Sequence, residues 1–194
     1  MAEVVLYHHV QGLTKGLQAF ADELRRAGHT VHTPDLFDGR TFATMEEAFS
    51  FVREAGDALD VRVDGAAEAL PEGLVYAGIS WGVRPAQRLA QTRAGARGAL
   101  LYEACFPITG EYAFGPWPNG VPVQVHGKED DEFFAHEGDI DAARELVATV
   151  GPDRAELFVY PGDEHLFVDS SLPSYDADAA ALVVQRTLHF LSVL

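Results

Sequence analysis

Apolar residues in this chain follow two spacings that alternate from one end to the other. Short continuous runs read as strands buried on both faces: Val4 to Tyr7, Gly73 to Gly78, Gly98 to Tyr102, Val121 to His126 and Ala155 to Tyr160, with a weaker Thr30 to Thr33 ended by Pro34. Between them the apolar positions fall three and four apart. Leu17, Phe20, Leu24 and Ala27 form one helical stripe with Gly28 as its stop. Met45, Phe49, Val52, Leu59, Val63 and Leu70 form a second, weakened at Gly56 and Gly65 and so readable as two helices. Residues 83–94 continue the pattern with Pro85 tolerable in the first turn, as do 139–150 with Asp139 as a cap, and 176–193. Strand, helix, strand, repeated, predicts a parallel sheet with helices on both faces. Sites in such sheets lie at the carboxyl ends of the strands. The search for chemistry therefore narrows to residues 8–12, Pro34-Asp35, Ser80-Trp81, Glu103, residues 126–131 and residues 162–165.

One of those places carries a motif. Gly78-Ile79-Ser80-Trp81-Gly82 is a G-x-S-x-G pentapeptide between an expected strand and an expected helix, the setting of a nucleophile elbow. The tight turn lifts the serine hydroxyl out of the sheet and sets the Trp81 N–H at a helix N-terminus, where it can stabilise an oxyanion. A hydroxyl needs a base, and in this arrangement an acid and then a histidine follow the serine in the chain. The run Gly127-Lys128-Glu129-Asp130-Asp131 follows the fifth strand and Gly162-Asp163-Glu164-His165 the sixth. His165 is the expected base. Asp130 is the first choice for the acid that orients it, ahead of Asp131 and then Glu129.

These residues together resemble the dienelactone hydrolase family of α/β-hydrolases, over nearly the whole chain. The similarity runs through Val5-Leu6-Tyr7-His8-His9 with Gly12-Leu13, Pro34-Asp35-Leu36-Phe37-Asp38-Gly39, the elbow, Val121 to His126 with Asp130, and His165-Leu166-Phe167 before a terminal helix. The resemblance implies a nucleophile at Ser80, an acid at Asp130, a base at His165, and an oxyanion hole from the N–H groups of Trp81 and Val10. The founding enzymes use cysteine where this chain has Ser80. They carry a glutamate after the first strand where this chain has His9, and many have a second glycine after the elbow where it has Val83. A conventional serine esterase mechanism is then the expectation, without the family's thiol-activating device. The implied fold is a single α/β-hydrolase domain over residues 1–194, with a doubly wound, mainly parallel sheet in the order 2-1-3-4-5-6 and no separate lid domain.

Composition narrows the reading further. Fourteen basic against thirty acidic residues give a net charge of −16, which repels nucleic acid and anionic membrane surfaces. The single cysteine, Cys105, can form no internal disulfide, so a reducing, cytoplasmic setting is expected. No apolar run is long enough to span a bilayer. His9, Phe37, Glu103, Trp117 and Phe133 are candidate pocket residues around a small soluble ester or lactone, and no cofactor is called for. A zinc site from His8, His9 and His126 is disfavoured because adjacent side chains on an extended chain point opposite ways. A monomer or homodimer is expected. Thioester or amide hydrolysis on the same residues is an alternative, as is a non-catalytic small-molecule-binding protein, given the bulk of Val83 beside the elbow.

Overall fold

The computed structural model describes residues 1–194. The chain runs β1 (Glu3–Tyr7), α1 (Lys15–Arg26), β2 (Thr30–His32), α2 (Met45–Ala55), α3 (Asp57–Glu68), β3 (Val75–Ile79), α4 (Val83–Thr92), β4 (Gly98–Tyr102), β5 (Val123–Lys128), α5 (Asp139–Val150), β6 (Ala155–Tyr160) and α6 (Ala177–Ser192), with one 3-10 turn, Ser80–Gly82, between β3 and α4. The six strands form one sheet in the order β2-β1-β3-β4-β5-β6, and every neighbouring pair is parallel. Both the single-domain architecture and the strand order match the expectation.

The continuous apolar strands are explained by a core on each side of the sheet. Successive side chains of a strand point to opposite faces. Val4 and Leu6 of β1 face α1 and α6, packing with Leu17, Phe20 and Leu24 of α1 and Val183, Phe190 and Leu191 of α6. Val5 and Tyr7 face the other layer, with Leu59 and Val63 of α3, Ala86 and Leu89 of α4, and Ile140 and Leu146 of α5. Each central strand thus buries both its odd and its even positions, and a half-polar alternation never develops.

Local chemistry places the helix ends. Thr14 caps α1 by accepting from Leu17 N, Thr44 caps α2 by accepting from Glu47 N, and Asp176 caps α6. The long middle stripe does divide in two. Gly56, at φ +49°, stops α2 and starts α3. Most element ends shift by one or two residues from the expectation, and one shift bears on the site. The fifth strand begins at Val123 rather than Val121 and runs on through Gly127 and Lys128, which pair with Val159 and Tyr160. Gly127 permits this, because a Cβ there would lie 2.2 Å from the Phe134 ring. The shift decides which aspartate reaches the site.

Candidate active site

Ser80 follows β3 directly and holds a left-handed backbone at φ +50°, a conformation that costs a non-glycine residue energy and is kept only where the surroundings enforce it. The two glycines of the pentapeptide enforce it by close approach. A Cβ on Gly78 would lie 2.1 Å from the Gly82 carbonyl oxygen, and one on Gly82 would lie 2.4 Å from the Tyr7 carbonyl oxygen. The turn is therefore pressed onto β1 with no room for a side chain. The loop after β1 lies against it, with the His8 ring stacked 5.9 Å from that of Trp81.

Ser80 Oγ lies 2.8 Å from His165 Nε2, and His165 Nδ1 lies 2.7 Å from Asp131 Oδ2. An ionised carboxylate can only accept, so Nδ1 carries the proton and Nε2 is free to accept from the serine hydroxyl. Asp131 is fully buried, and its Oδ1 accepts from Phe133 N at 2.9 Å, which fixes the carboxylate plane. Burial of His165 favours its neutral form, but Asp131, Glu103 and Asp139 around it outweigh this, and its pKa is raised overall.

Asp130, the first choice from sequence, does not reach the histidine. Its side chain is 71% exposed and pairs with His136 at 3.0 Å. The reason is the extended β5. With Gly127 and Lys128 still in the strand, the turn is Glu129-Asp130, its backbone tied to Tyr160 and Gly162, and Asp131 is the residue that swings inward.

Three of the five candidate pocket residues are buried within the protein. His9 donates from Nε2 to Asp169 Oδ2 at 2.8 Å, and its Nδ1 accepts from Gln11 N at 3.2 Å. Phe37 packs between His8 and Trp81, at ring separations of 4.5 and 5.3 Å. Glu103 lies beneath His165, with Oε2 3.8 Å from Nδ1. The other two are only partly covered. Phe133 lies against the relay, its ring 4.7 Å from that of His165. Trp117 is half-buried and donates its indole N–H to Val121 O at 2.8 Å, packed on the α3–α5 side of the core.

Sequence reasoning missed Asp169 and Lys128. Asp169 joins the loop after β1 to the loop that carries His165, accepting from His9, Thr14 and Ser171. Burial works to raise its pKa, but these donors prevail and hold it at about 2. Lys128, its side chain buried at the end of β5, binds Glu164 beside His165 and also Asp176 at 2.7 Å, so the histidine loop is clamped to the start of α6. No spacing rule links residues 9 and 169, or 128 and 176; only the topology does.

The three histidines of the zinc alternative do not converge, since each has its own partners: Leu36 N for His8, Asp169 for His9, and Tyr160 and Gln124 for His126. Glu103, Asp131 and His165 do bring ligand atoms within 4.8 Å of one another, although His165 and Asp131 are already engaged together. Val10 is buried, and its N–H has no acceptor within the protein.

A serine–histidine–carboxylate relay raised on the carboxyl edge of a doubly wound parallel sheet defines the α/β-hydrolase class. Within that class the chain belongs to the dienelactone hydrolase family, whose model matches residues 1–194. Family membership makes it a carboxylic ester hydrolase. Among solved structures it is similar to a dienelactone hydrolase-like promiscuous phosphotriesterase from metagenomic libraries, with 18% identity, a TM-score of 0.76, and coverage of 100% of this chain and 87% of that one. It is also similar to the apo form of Thermogutta terrifontis esterase 2, at 16% identity and a TM-score of 0.64, covering 99% of this chain and 83% of that one. At these identities the likeness speaks for the fold. No curated protein matches the chain. No helix is long and apolar enough to cross a membrane.

Proposed function

We propose that the chain is a serine esterase that cleaves a small carboxylic ester or lactone with Ser80 as nucleophile, His165 as base and Asp131 as the orienting acid. The observation that carries this is the unbroken relay, 2.8 Å from Ser80 to His165 and 2.7 Å from His165 to Asp131. Ser80 Oγ attacks the carbonyl carbon while its proton passes to His165 Nε2. The resulting imidazolium is stabilised by Asp131, which stays ionised. The oxyanion is received by the N–H groups of Trp81 and Val10, the latter having no other acceptor. Collapse returns the proton to the leaving alkoxide and leaves an acyl-serine. Water, deprotonated by the same Nε2, then releases the acid and restores Ser80.

Val83 does not disturb this geometry, since its side chain is buried in the core on the α4 side while Ser80 keeps its bond to His165. A small substrate suits this end of the sheet, where residues 103–122 contain no helix or strand and so build no separate lid domain. The reading includes a cytoplasmic setting, a monomer or homodimer, and no part for nucleic acid. The test is hydrolysis of p-nitrophenyl acetate by the wild type, Ser80→Ala and His165→Ala, with fluorophosphonate labelling of each. Turnover and labelling that vanish in Ser80→Ala support the triad. A wild type that neither hydrolyses the ester nor takes the label overturns it.

A further inference from the structure

Two buried carboxylates face the one N–H of His165. Asp131 holds it at 2.7 Å, and Glu103 Oε2 stands 3.8 Å from the same nitrogen. Glu103 comes from a different strand. It follows β4 in a left-handed backbone at φ +64°, held by its N–H donating to His126 O at 2.6 Å. Its Oε2 accepts from the backbone N–H of Leu166, the residue after His165 and itself left-handed at φ +62°. Its Oε1 makes no well-formed hydrogen bond, and the residue is 1% exposed.

Accepting one backbone N–H explains an oxygen at this place but not a carboxylate. A neutral glutamine would do the same without the cost of burying a second acid beside Asp131. What a carboxylate adds is a charge directed at the histidine.

We propose that Glu103 is a positioning residue for His165, fixing the Leu166 turn through Oε2 and serving as a second acid that takes over the Nδ1 proton when Asp131 is removed. This rests on the triad reading above. No proton leaves Nδ1 in the exchange: the Nδ1–H turns its donation from Asp131 to Glu103, whose ionised form also supplies the charge that stabilises the imidazolium. The other ionisable groups facing His165 are Asp131, from the turn after β5, and Asp139, from the start of α5. On the histidine's own turn, Glu164 is engaged by Lys128. Burial raises the Glu103 pKa to about 7, and Asp131 adds to this; His165 and the N–H groups of Leu166 and Val168 act against it. Removing Asp131 takes away one of the groups that raise this pKa, so the second acid is unmasked at lower pH in Asp131→Asn than in the wild type.

The experiment compares the wild type, Glu103→Gln, Asp131→Asn and the double variant in kcat/KM for p-nitrophenyl acetate from pH 5 to 9. Losing the orienting acid of a triad costs about 10⁴-fold. With Glu103 in reserve, Asp131→Asn alone is expected to lose about 10²-fold at pH 8.5, its residual activity climbing with pH as Glu103 ionises, and the double variant to fall the full 10⁴-fold with no such climb. In Glu103→Gln the acid limb moves to lower pH, because an anion that favoured the imidazolium has gone. Titration of His165 by nitrogen-15 NMR reads the same shift without turnover, so it tests Glu103 even if the wild type proves inactive and the esterase reading fails. Glu103→Asp guards against a folding defect. It keeps the charge and is expected to keep the raised His165 pKa. A double variant no worse than Asp131→Asn, with the His165 titration unmoved in Glu103→Gln, would leave Glu103 as a backbone acceptor only and overturn the proposal.

Discussion

Gly82→Ala isolates the contact on which the elbow depends. The added Cβ would stand 2.4 Å from the Tyr7 carbonyl oxygen, 2.6 Å from that of His8 and 2.8 Å from the Tyr7 carbonyl carbon. Ordinary contact begins near 3.4 Å, so turn and strand must part by about 1 Å. The atoms met are backbone of β1 and the residue after it, in a strand hydrogen-bonded to β2 on one side and β3 on the other, and cannot swing away as a side chain would. Overpacking of this kind costs about 1–3 kcal/mol, and a rigid neighbour puts it at the upper end. The displacement falls on Ser80 and the Trp81 N–H, where an error of about 1 Å costs on the order of 10²-fold in rate. Gly65→Ala is the control. It lies within α3, where an added methyl would meet nothing within 4 Å, and is expected to stabilise by about 0.5–1 kcal/mol. Urea midpoints report the stability of each variant, and kcat/KM for p-nitrophenyl acetate, normalised to the fraction labelled by a fluorophosphonate, reports the geometry. A Gly82→Ala protein that unfolds at the wild-type urea concentration and keeps more than half its turnover would refute the close-approach argument.

Asp130→Asn is expected to change kcat/KM by no more than about twofold and stability by no more than about 0.5 kcal/mol, since its carboxylate is exposed and pairs only with surface His136; a loss of several orders of magnitude in the ester assay would return the acid role to it. His126 is buried between Tyr102 and Phe158, and burial lowers its pKa to about 3, so unfolding takes up a proton at any pH between about 3 and 6.5. Its contribution to stability is full above 6.5 and declines as pH falls, by about 1.4 kcal/mol per unit. Glu103 and Asp139, raised to about 7 and about 6, act in the opposite sense, and His8, lowered to about 4, in the same sense, so the wild-type profile alone does not isolate His126. The readable quantity is the penalty of His126→Gln, expected to shrink by about 1 kcal/mol between pH 7.5 and 5.5 in urea unfolding; a penalty independent of pH would mean that His126 is not held neutral.

The fold was legible because its determinants are local. Apolar runs four to six residues long, separated by helical stripes, admit few arrangements other than a parallel sheet covered on both faces. Gly56 acted where its chemistry predicts, as the break in the long middle stripe. The elbow and its proposed nucleophile were legible for the same reason, since Gly78, Ser80 and Gly82 are neighbours in sequence and their constraint is contained in five residues. His165 needed one step more, its place after the last strand.

The proposed acid was harder because a strand end, unlike a motif, is set from outside. Whether Asp130 or Asp131 faces the histidine depends on where β5 stops, and that depends on Phe134 packing over Gly127 and on β6 still offering Val159 and Tyr160 as partners. In a run of four acids, Glu129 to Glu132, one residue of strand length exchanges a buried relay member for a solvated surface charge, and composition cannot tell them apart. Glu103 was placed at the right strand end, but its burial could not be read from the chain, because a glutamate after a strand is ordinarily solvated. Its burial follows from the left-handed turn at Leu166, which brings a backbone N–H down over the carboxylate from a loop more than sixty residues away. The same holds for His9 and Asp169. The part of this site that recognises its own sequence neighbours can be read from the chain, whereas the part that holds the histidine is assembled across β4, β5 and the loop after β6 and exists only once the sheet has formed.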